Sequence, residues 1–223
     1  MKPNFTLRKN AMNMKFAPLA GAWLAAGTLV ASTLLGGCAA PLVMGGAMLG
    51  TALVASDRRT SGIQLEDEGI ELRAGARVRD AMPEKGHISI TSYNRVVLLT
   101  GEVASEADKA QAADIVSRVE NVNRVANELA VLGNSTLTQR SSDALVTGRV
   151  KAAFVDAKDL FASAFKVTTE RGTVYLMGRV TQREATRATE ITRNLSGVQR
   201  VVRLMDIITE EELARIQPPA DKK

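Results

Sequence analysis

Apolar and polar positions alternate in two stretches of the chain that match each other. Residues 88–103 read ISITSYNRVVLLTGEV, and residues 165–180 read FKVTTERGTVYLMGRV. In the second half of each stretch every other position is apolar or glycine, which places these positions on one face of a β-strand. The matched pairs are Val97 and Val174, Leu99 and Leu176, Gly101 and Gly178, and Val103 and Val180. The dipeptides YN and RG in the middle predict a β-hairpin in each stretch.

Helical periodicity surrounds each hairpin. Residues 71–82 and 143–155 carry apolar side chains at helical spacing before the hairpins. After them, a capping-box spacing predicts the start of a second helix in each copy, at Ser105-x-x-Asp108 and at Thr181-x-x-Glu184. The stretches NRVANELAVL and QRVVRLMDII then have the pattern of closing strands.

The sequence therefore predicts an α+β protein with two tandem small αββαβ domains. A strand–helix–strand crossover makes the last two strands of each copy parallel, so each domain is expected to have a three-stranded mixed sheet with two helices on one face. Gly101 and Gly178 lie on the apolar face, and we expect a helix backbone to approach them closely. The predicted boundaries are 64–133 for the first domain, 134–140 for a linker, 141–208 for the second domain and 209–223 for a tail.

The N-terminal part has a different pattern, with no charged residue from Phe16 to Ser56. This run is longer than the roughly 20 residues of one membrane span. A basic segment, an apolar segment and small residues before Cys38 together predict an export signal over residues 1–37, whose true start is Met1, Met12 or Met14. Residues 38–63 would then be an apolar segment and linker. The alternative is an uncleaved anchor helix with a buried, inert cysteine.

Net charge adds a difference between the two copies. From Cys38 onward the chain has 25 basic and 24 acidic residues, so its overall basic charge does not predict nucleic-acid binding once the leader is removed. Residues 64–133 hold 8 basic and 12 acidic residues, whereas residues 140–208 hold 12 and 7. A basic second domain near a membrane favours contact with anionic headgroups. For Arg183, Arg187 and Arg193 the alternative is an ordinary solvated helix face.

Candidate catalytic chemistry is sparse. His87 is the one histidine and Cys38 the one cysteine, so a nucleophile–histidine arrangement has few residues from which to form. We expect His87 to be a surface residue. No carboxylate group has the sequence spacing of metal ligands, and no glycine-rich phosphate loop follows a strand. The sequence predicts no catalytic residues, no metal site and no enzyme activity.

Two sets of motifs resemble known bacterial families. The tetrapeptide LGGC at 35–38 resembles the lipobox of lipoproteins. That resemblance implies diacylglycerol on Cys38, an N-acyl chain on the new amino group and, with Ala39 next, sorting to the outer membrane. The glycine strands VVLLTGEV and VYLMGRV, the ends VENVNRV and LSGVQRV, and the stretch DRRTSGIQLEDEGIE resemble BON domains of osmotic-shock proteins and lipoproteins.

The BON resemblance implies an outer-membrane lipoprotein on the periplasmic face that binds anionic phospholipid and supports envelope integrity. In such proteins the phospholipid surface is centred on the first helix of the second domain. Arg149 and Lys151 would meet phosphates, and Leu145, with Phe154 or Val155, would enter the acyl boundary. For Phe154 the alternative is a position in the core. Related lipoproteins can have Trp where this chain has Leu145, and Trp is the stronger interfacial anchor. The alternative is an anchored adaptor for an envelope protein partner.

Overall fold

The computed structural model describes residues 57–216. The predicted signal peptide, Cys38, the apolar segment up to Ser56 and the last seven residues of the tail lie outside the described residues. The predictions for those segments therefore stay predictions.

The first domain has the predicted element order with one difference. Its elements are α1 (Ser61–Ala81), β1 (Gly86–Tyr93), β2 (Val96–Val103), α2 (Glu106–Ser117), β3 (Arg124–Asn127) and β4 (Ala130–Val131). β1 is antiparallel to β2, and β3 and β4 both pair with β2 in parallel. The closing strand is thus divided, and the sheet has four strands instead of the expected three. The Asn127 side chain accepts a hydrogen bond from the Leu129 backbone at 3.3 Å, a local bond that competes with the strand ladder.

The second domain repeats the order without that division. Its elements are α3 (Leu137–Asp156), a 3-10 turn (Ala162–Ala164), β5 (Phe165–Glu170), β6 (Thr173–Thr181), α4 (Gln182–Arg193) and β7 (Arg200–Ile208), followed by α5 (Glu210–Ile216). β6 pairs antiparallel with β5 and parallel with β7, so the three-stranded mixed sheet is as predicted. The predicted α+β fold with two tandem domains is confirmed.

The first helix of each domain begins earlier than its apolar stripe. α1 begins at Ser61 and α3 at Leu137, so the ends of both predicted linkers are helical. Thr60 and Thr136 cap these starts, and Thr136 forms a reciprocal capping box with Gln139. The added turns of α1 bury Asp67, a polar side chain that hydrophobic periodicity cannot detect.

The first helix of each domain contains an aspartate that holds a hairpin turn. Asp67 accepts hydrogen bonds from the backbone N–H groups of Asn94 and Arg95, at 2.7 and 2.8 Å. Asp143 does the same for Arg171 and Gly172, each at 2.8 Å. Both central residues of both turns have positive φ, as in type I′ hairpin turns. The first turn is therefore at Asn94–Arg95, one residue later than the YN pair that the sequence favoured.

The alternating apolar positions of the central strands form the two helix-side cores. Val97, Leu99 and Val103 are fully buried with α1 and α2, and Val174, Leu176 and Val180 are fully buried with α3 and α4. Backbone carbonyl groups lie close to the glycines on these strands. A Cβ at Gly101 would lie 1.9 Å from the His87 carbonyl oxygen of the neighbouring strand, and one at Gly178 would lie 2.6 Å from that of Ala164. The prediction of a close helix backbone is wrong for Gly101, where a strand backbone lies. At Gly178 the close carbonyl belongs to the last residue of the 3-10 turn.

The opposite faces of the two sheets pack against each other. Leu98 of β2 and Tyr93 of β1 form one buried apolar cluster with Tyr175 and Met177 of β6. The Tyr93 hydroxyl donates to the Ala164 carbonyl at 3.3 Å and accepts from the Arg179 backbone N–H at 3.2 Å. Burial is the main cause that raises the pKa of Tyr93 to about 12, so the hydroxyl stays a donor at neutral pH. β2 is consequently buried on both faces.

Ion pairs between the two domains surround this apolar cluster. Lys166 Nζ lies 2.6 Å from Glu71 Oε1 and also donates to the Ser92 carbonyl at 3.0 Å. Arg171 Nε lies 2.5 Å from Oε1 of the fully buried Glu102. Burial alone would raise the pKa of Glu102, but hydrogen bonds from Arg171 and Ser135 hold it below its ordinary value. These contacts fix the register of one sheet on the other.

Candidate functional site

Helix α3 packs one side into the second domain. Its buried side chains are Asp143, Val146, Val150 and Phe154, at spacings of three and four residues. Phe154 is 1% exposed, and its ring centroid lies 5.0 Å from that of Phe165. This spacing turns the residues between the buried positions toward solvent.

The solvent side of α3 carries apolar side chains. Leu145 is 63% exposed and Val155 is 71% exposed, and the exposed residues Gly148 and Ala152 fall between them on the same face. Exposed leucine and valine in line along a helix form an apolar stripe, which is typical of helices that contact a membrane or a partner.

Two cations flank this stripe. Arg149 and Lys151 are both exposed, and Arg149 Nη1 donates to the Ser196 carbonyl at 3.2 Å. Among residues 57–216, neither cation lies within 4.0 Å of a carboxylate. By contrast, Arg187 Nε lies 2.9 Å from Asp159 and Arg183 Nε lies 3.7 Å from Glu210. We call the surface formed by Leu145, Arg149, Lys151 and Val155 the α3 surface.

An apolar groove lies next to the C-terminal end of α3. Its volume is about 520 Å³, which lies in the range of small-ligand sites. Its lining residues are Lys151, Phe154, Val155, Leu160, Phe161, Ala162, Ser163 and Phe165. Lys151 is its one cationic lining residue, so the groove joins an apolar wall to a single positive charge.

One edge of the groove is held by the segment that precedes α1. The guanidinium of Arg58 lies 5.7 Å from the centroid of the Phe161 ring and forms an ion pair with Glu184 at 2.7 Å. Burial opposes ionisation of Glu184, but the Arg58 hydrogen bonds hold its pKa below the ordinary value. Glu184 therefore stays charged, and its ion pair holds the Arg58 guanidinium beside the Phe161 ring.

The five residues that the sequence singled out separate into two groups. Leu145, Arg149, Lys151 and Val155 lie together on the α3 surface. Phe154 does not: it belongs to the core and reaches only the wall of the groove, so its prediction as a side chain that enters the acyl boundary is wrong. The reason is helical geometry, because Phe154 lies four residues after Val150 on the buried side.

Sequence reasoning missed Leu160 and Phe161, which form part of the groove. They lie in the irregular segment between α3 and the 3-10 turn, where no periodicity indicates which side chains are exposed. It also missed Leu137, which is exposed in the first turn of α3. The sequence did contain a signal for Leu137. It is an apolar residue that directly follows the Thr136 cap, and it does not fall at the spacing of the buried side chains of α3.

None of the helices within residues 57–216 combines the length and the apolar character that a membrane crossing requires. Comparison with known protein families finds the BON domain twice, over residues 67–133 and 142–209. The chain belongs to the BON-domain family. Each match covers one αββαβ unit, so the family domain and the structural repeat coincide.

The chain is similar to several known proteins, among them a lipoprotein, a hemolysin and an osmotically-inducible protein. It is 39% identical to the outer membrane lipoprotein DolP of Haemophilus influenzae over 179 residues, which cover 79% of this chain and 91% of the relative. It is 29% identical to a 21 kDa hemolysin of Actinobacillus pleuropneumoniae, over 68% of this chain and 79% of that protein. It is 30% identical to the osmotically-inducible protein Y of Escherichia coli, over 61% of this chain and 70% of that protein.

The likeness to the Haemophilus lipoprotein covers nearly the whole of that protein. It confirms the predicted class and location of this BON protein, a lipoprotein anchored to the outer membrane on its periplasmic face.

Proposed function

We propose that this BON protein binds anionic phospholipid at the outer membrane through the α3 surface, without enzymatic activity, and thereby supports envelope integrity. The observation that carries the proposal is the exposed stripe of Leu145 and Val155 between two cations that have no carboxylate partner in the described chain. An apolar stripe bordered by positive charge matches the two layers of a lipid surface, acyl chains below and phosphates above.

We further propose that Cys38 carries the anchor, as a diacylglycerol thioether with an N-acyl chain on the amino group. Two or more chains hold a protein stably on a bilayer, whereas one chain binds only marginally. The anchor keeps the α3 surface close to the membrane, so a weak contact with headgroups is sufficient. The structure of Cys38 lies outside the described residues, and mass spectrometry of the native protein tests its acylation.

The expected energy of the α3 contact is moderate. Each cation close to anionic headgroups contributes about 1 kcal/mol. Full burial of a leucine or valine side chain contributes about 1.5 to 3 kcal/mol, and partial insertion contributes less. Electrostatic attraction is screened by salt, so we expect binding to weaken as ionic strength rises.

Sedimentation with vesicles tests the proposal on residues 57–223, without the anchor. The three apolar clusters lie entirely between residues 70 and 208, so this fragment keeps its cores. The fragment should bind vesicles that contain phosphatidylglycerol and not vesicles of phosphatidylcholine alone. The double substitution Arg149→Glu and Lys151→Glu should weaken that binding at least about tenfold, because it reverses two charges near the headgroups. Leu145→Trp should strengthen it.

The matched control is the double substitution Arg183→Glu and Arg187→Glu, which changes the net charge equally on another helix of the same domain. It should retain most of the binding, because both arginines face carboxylates. Equal losses in the two double variants would contradict an α3 site and indicate a general charge effect. A fragment that ignores anionic vesicles but captures an envelope protein would support the anchored adaptor instead.

A further inference from the structure

Three side chains from three strands lie together in the interface between the two domains. None of them belongs to the α3 surface, and none lines the groove. His87 is the second residue of β1 and lies opposite Glu102 of β2 in the antiparallel register. Glu170 is the last residue of β5 in the second domain. One ligand atom from each, an imidazole nitrogen and two carboxylate oxygens, lies within 4.8 Å of the other two.

The imidazole supplies an observation that is independent of the carboxylates. His87 Nδ1 is buried, and no hydrogen-bond partner reaches it from the described part of the chain. A buried polar atom without a partner destabilises the folded chain. The nearest oxygen of Glu102 is Oε2, at 3.9 Å, which is too far for a hydrogen bond. A group placed between these two atoms would satisfy both.

The remaining contacts of Glu102 leave one direction open. Its Oε1 is held by Arg171 Nε at 2.5 Å, and the Ser135 hydroxyl donates to its Oε2 at 3.2 Å. A carboxylate oxygen accepts two bonds, so Oε2 has capacity left on the side of His87. The guanidinium of Arg140, which donates to Ser135, and that of Arg171 oppose a further cation, whereas Glu102 and Glu170 favour one.

We propose that His87, Glu102 and Glu170 bind a divalent transition-metal ion, best matched by Zn²⁺, in the interface between the two BON domains. Zn²⁺ takes imidazole nitrogen at about 2.0 to 2.1 Å and carboxylate oxygen at about 2.0 to 2.2 Å. Tetrahedral ligands at those lengths lie roughly 3.4 Å apart, so the pair at 3.9 Å must close by only a small amount. Imidazole favours transition metals over Mg²⁺ and Ca²⁺.

The ion would join the domains, because two ligands come from the first sheet and one from the second. It would act as a cross-link in the interface where Arg171 already reaches Glu102. This site does not depend on lipid binding, since none of its residues lies on α3.

The test uses the full chain in detergent micelles, without a polyhistidine tag and after treatment with a chelator. His87 is the one histidine of the chain, so its imidazole gives a single set of NMR signals. Addition of Zn²⁺ should shift those signals until one equivalent is bound, and Mg²⁺ should leave them in place. His87→Gln and Glu170→Gln should each weaken Zn²⁺ binding by at least about tenfold, a loss in the range seen when the ligand environment of a metal is damaged.

The control is Glu128→Gln, which removes a different carboxylate that faces the second domain, paired with Arg200 at 3.3 Å. It should bind Zn²⁺ like the native chain. Imidazole signals that do not move with Zn²⁺, an equal response to Mg²⁺, or native Zn²⁺ binding by both glutamine variants would each overturn the proposal. If His87→Gln fails to fold by circular dichroism, the native imidazole signals and the Glu170→Gln variant still decide the question.

Discussion

Arg58 and Glu184 form a two-pronged ion pair in which both N–O distances are 2.7 Å. Their side chains are 3% and 4% exposed, and Arg58 also donates to the Arg179 carbonyl at 3.1 Å. Glu184 is at the same time the capping-box residue of α4 and accepts the Thr181 backbone N–H at 3.0 Å. Arg58 precedes the first domain in sequence, yet the second domain binds it. Arg58 thus holds the segment before α1 against the second domain, beside the groove.

Arg58→Met should lower the free energy of unfolding by about 3 kcal/mol, because it leaves the carboxylate of Glu184 buried without its partner. Urea denaturation of residues 57–223, followed by circular dichroism, measures this loss. The double variant Arg58→Met and Glu184→Gln should recover part of it, since no uncompensated charge remains.

Arg118→Met is the control for that prediction. Arg118 pairs with Asp114 at 2.7 Å, but both side chains are largely exposed, and such pairs contribute about 0.5 kcal/mol or less. Comparable losses in Arg58→Met and Arg118→Met would mean that the Arg58–Glu184 pair does not hold the segment.

Asp67→Asn should destabilise the first domain and also change its response to acid. Asp67 accepts four hydrogen bonds, from Arg59, Ser92, Asn94 and Arg95, at 2.7 to 2.8 Å. An amide has one oxygen instead of two, so the variant should lose about 2 kcal/mol at pH 7. Burial alone would raise the pKa of Asp67, but these bonds, with that from Arg95 largest, hold it below its ordinary value.

The sign of the acid effect follows from that depressed pKa. Between the folded and unfolded pKa values the unfolded chain binds more protons, so stability rises with pH in that window. The contribution of Asp67 is complete above its unfolded pKa of about 3.9 and is lost as pH falls through the folded value. Urea midpoints measured from pH 7 to pH 3 should therefore show the native chain and Asp67→Asn converging in acid. A constant difference at all pH values would refute this account.

Gly101→Ala and Gly148→Ala should change stability in opposite directions. Gly101 has φ +108°, and an added Cβ would overlap the His87 carbonyl, so the hairpin must shift at a cost of about 3 kcal/mol. A Cβ at Gly148 meets nothing within 4 Å, and alanine in a helix is about 1 kcal/mol more favourable than glycine. Thermal unfolding of both variants checks the pair. A neutral Gly101→Ala would show that the glycine is not required by backbone geometry.

The elements of this protein were predictable because their signals are local. Period-two alternation in β2 and β6, the Thr181–Glu184 capping box and the order of the repeat all depend on residues near one another in sequence. The solvent side of α3 was also within reach, since helical spacing alone separates Leu145 and Val155 from the buried Val150. For Phe154 the sequence left both a core and a membrane position open, because an apolar side chain suits either, and its burial decides for the core.

By itself the sequence determined two αββαβ units, their helix-side cores and the surface that α3 turns outward, because each follows from a repeat of two or of 3.6 residues along the chain. Only the tertiary structure decided that the two sheets pack face to face, that Arg58 crosses to Glu184, and that His87 meets Glu170. These residues are far apart in sequence and belong to different units. Their proximity depends on how one folded surface fits another, and no periodicity within a single segment carries that information.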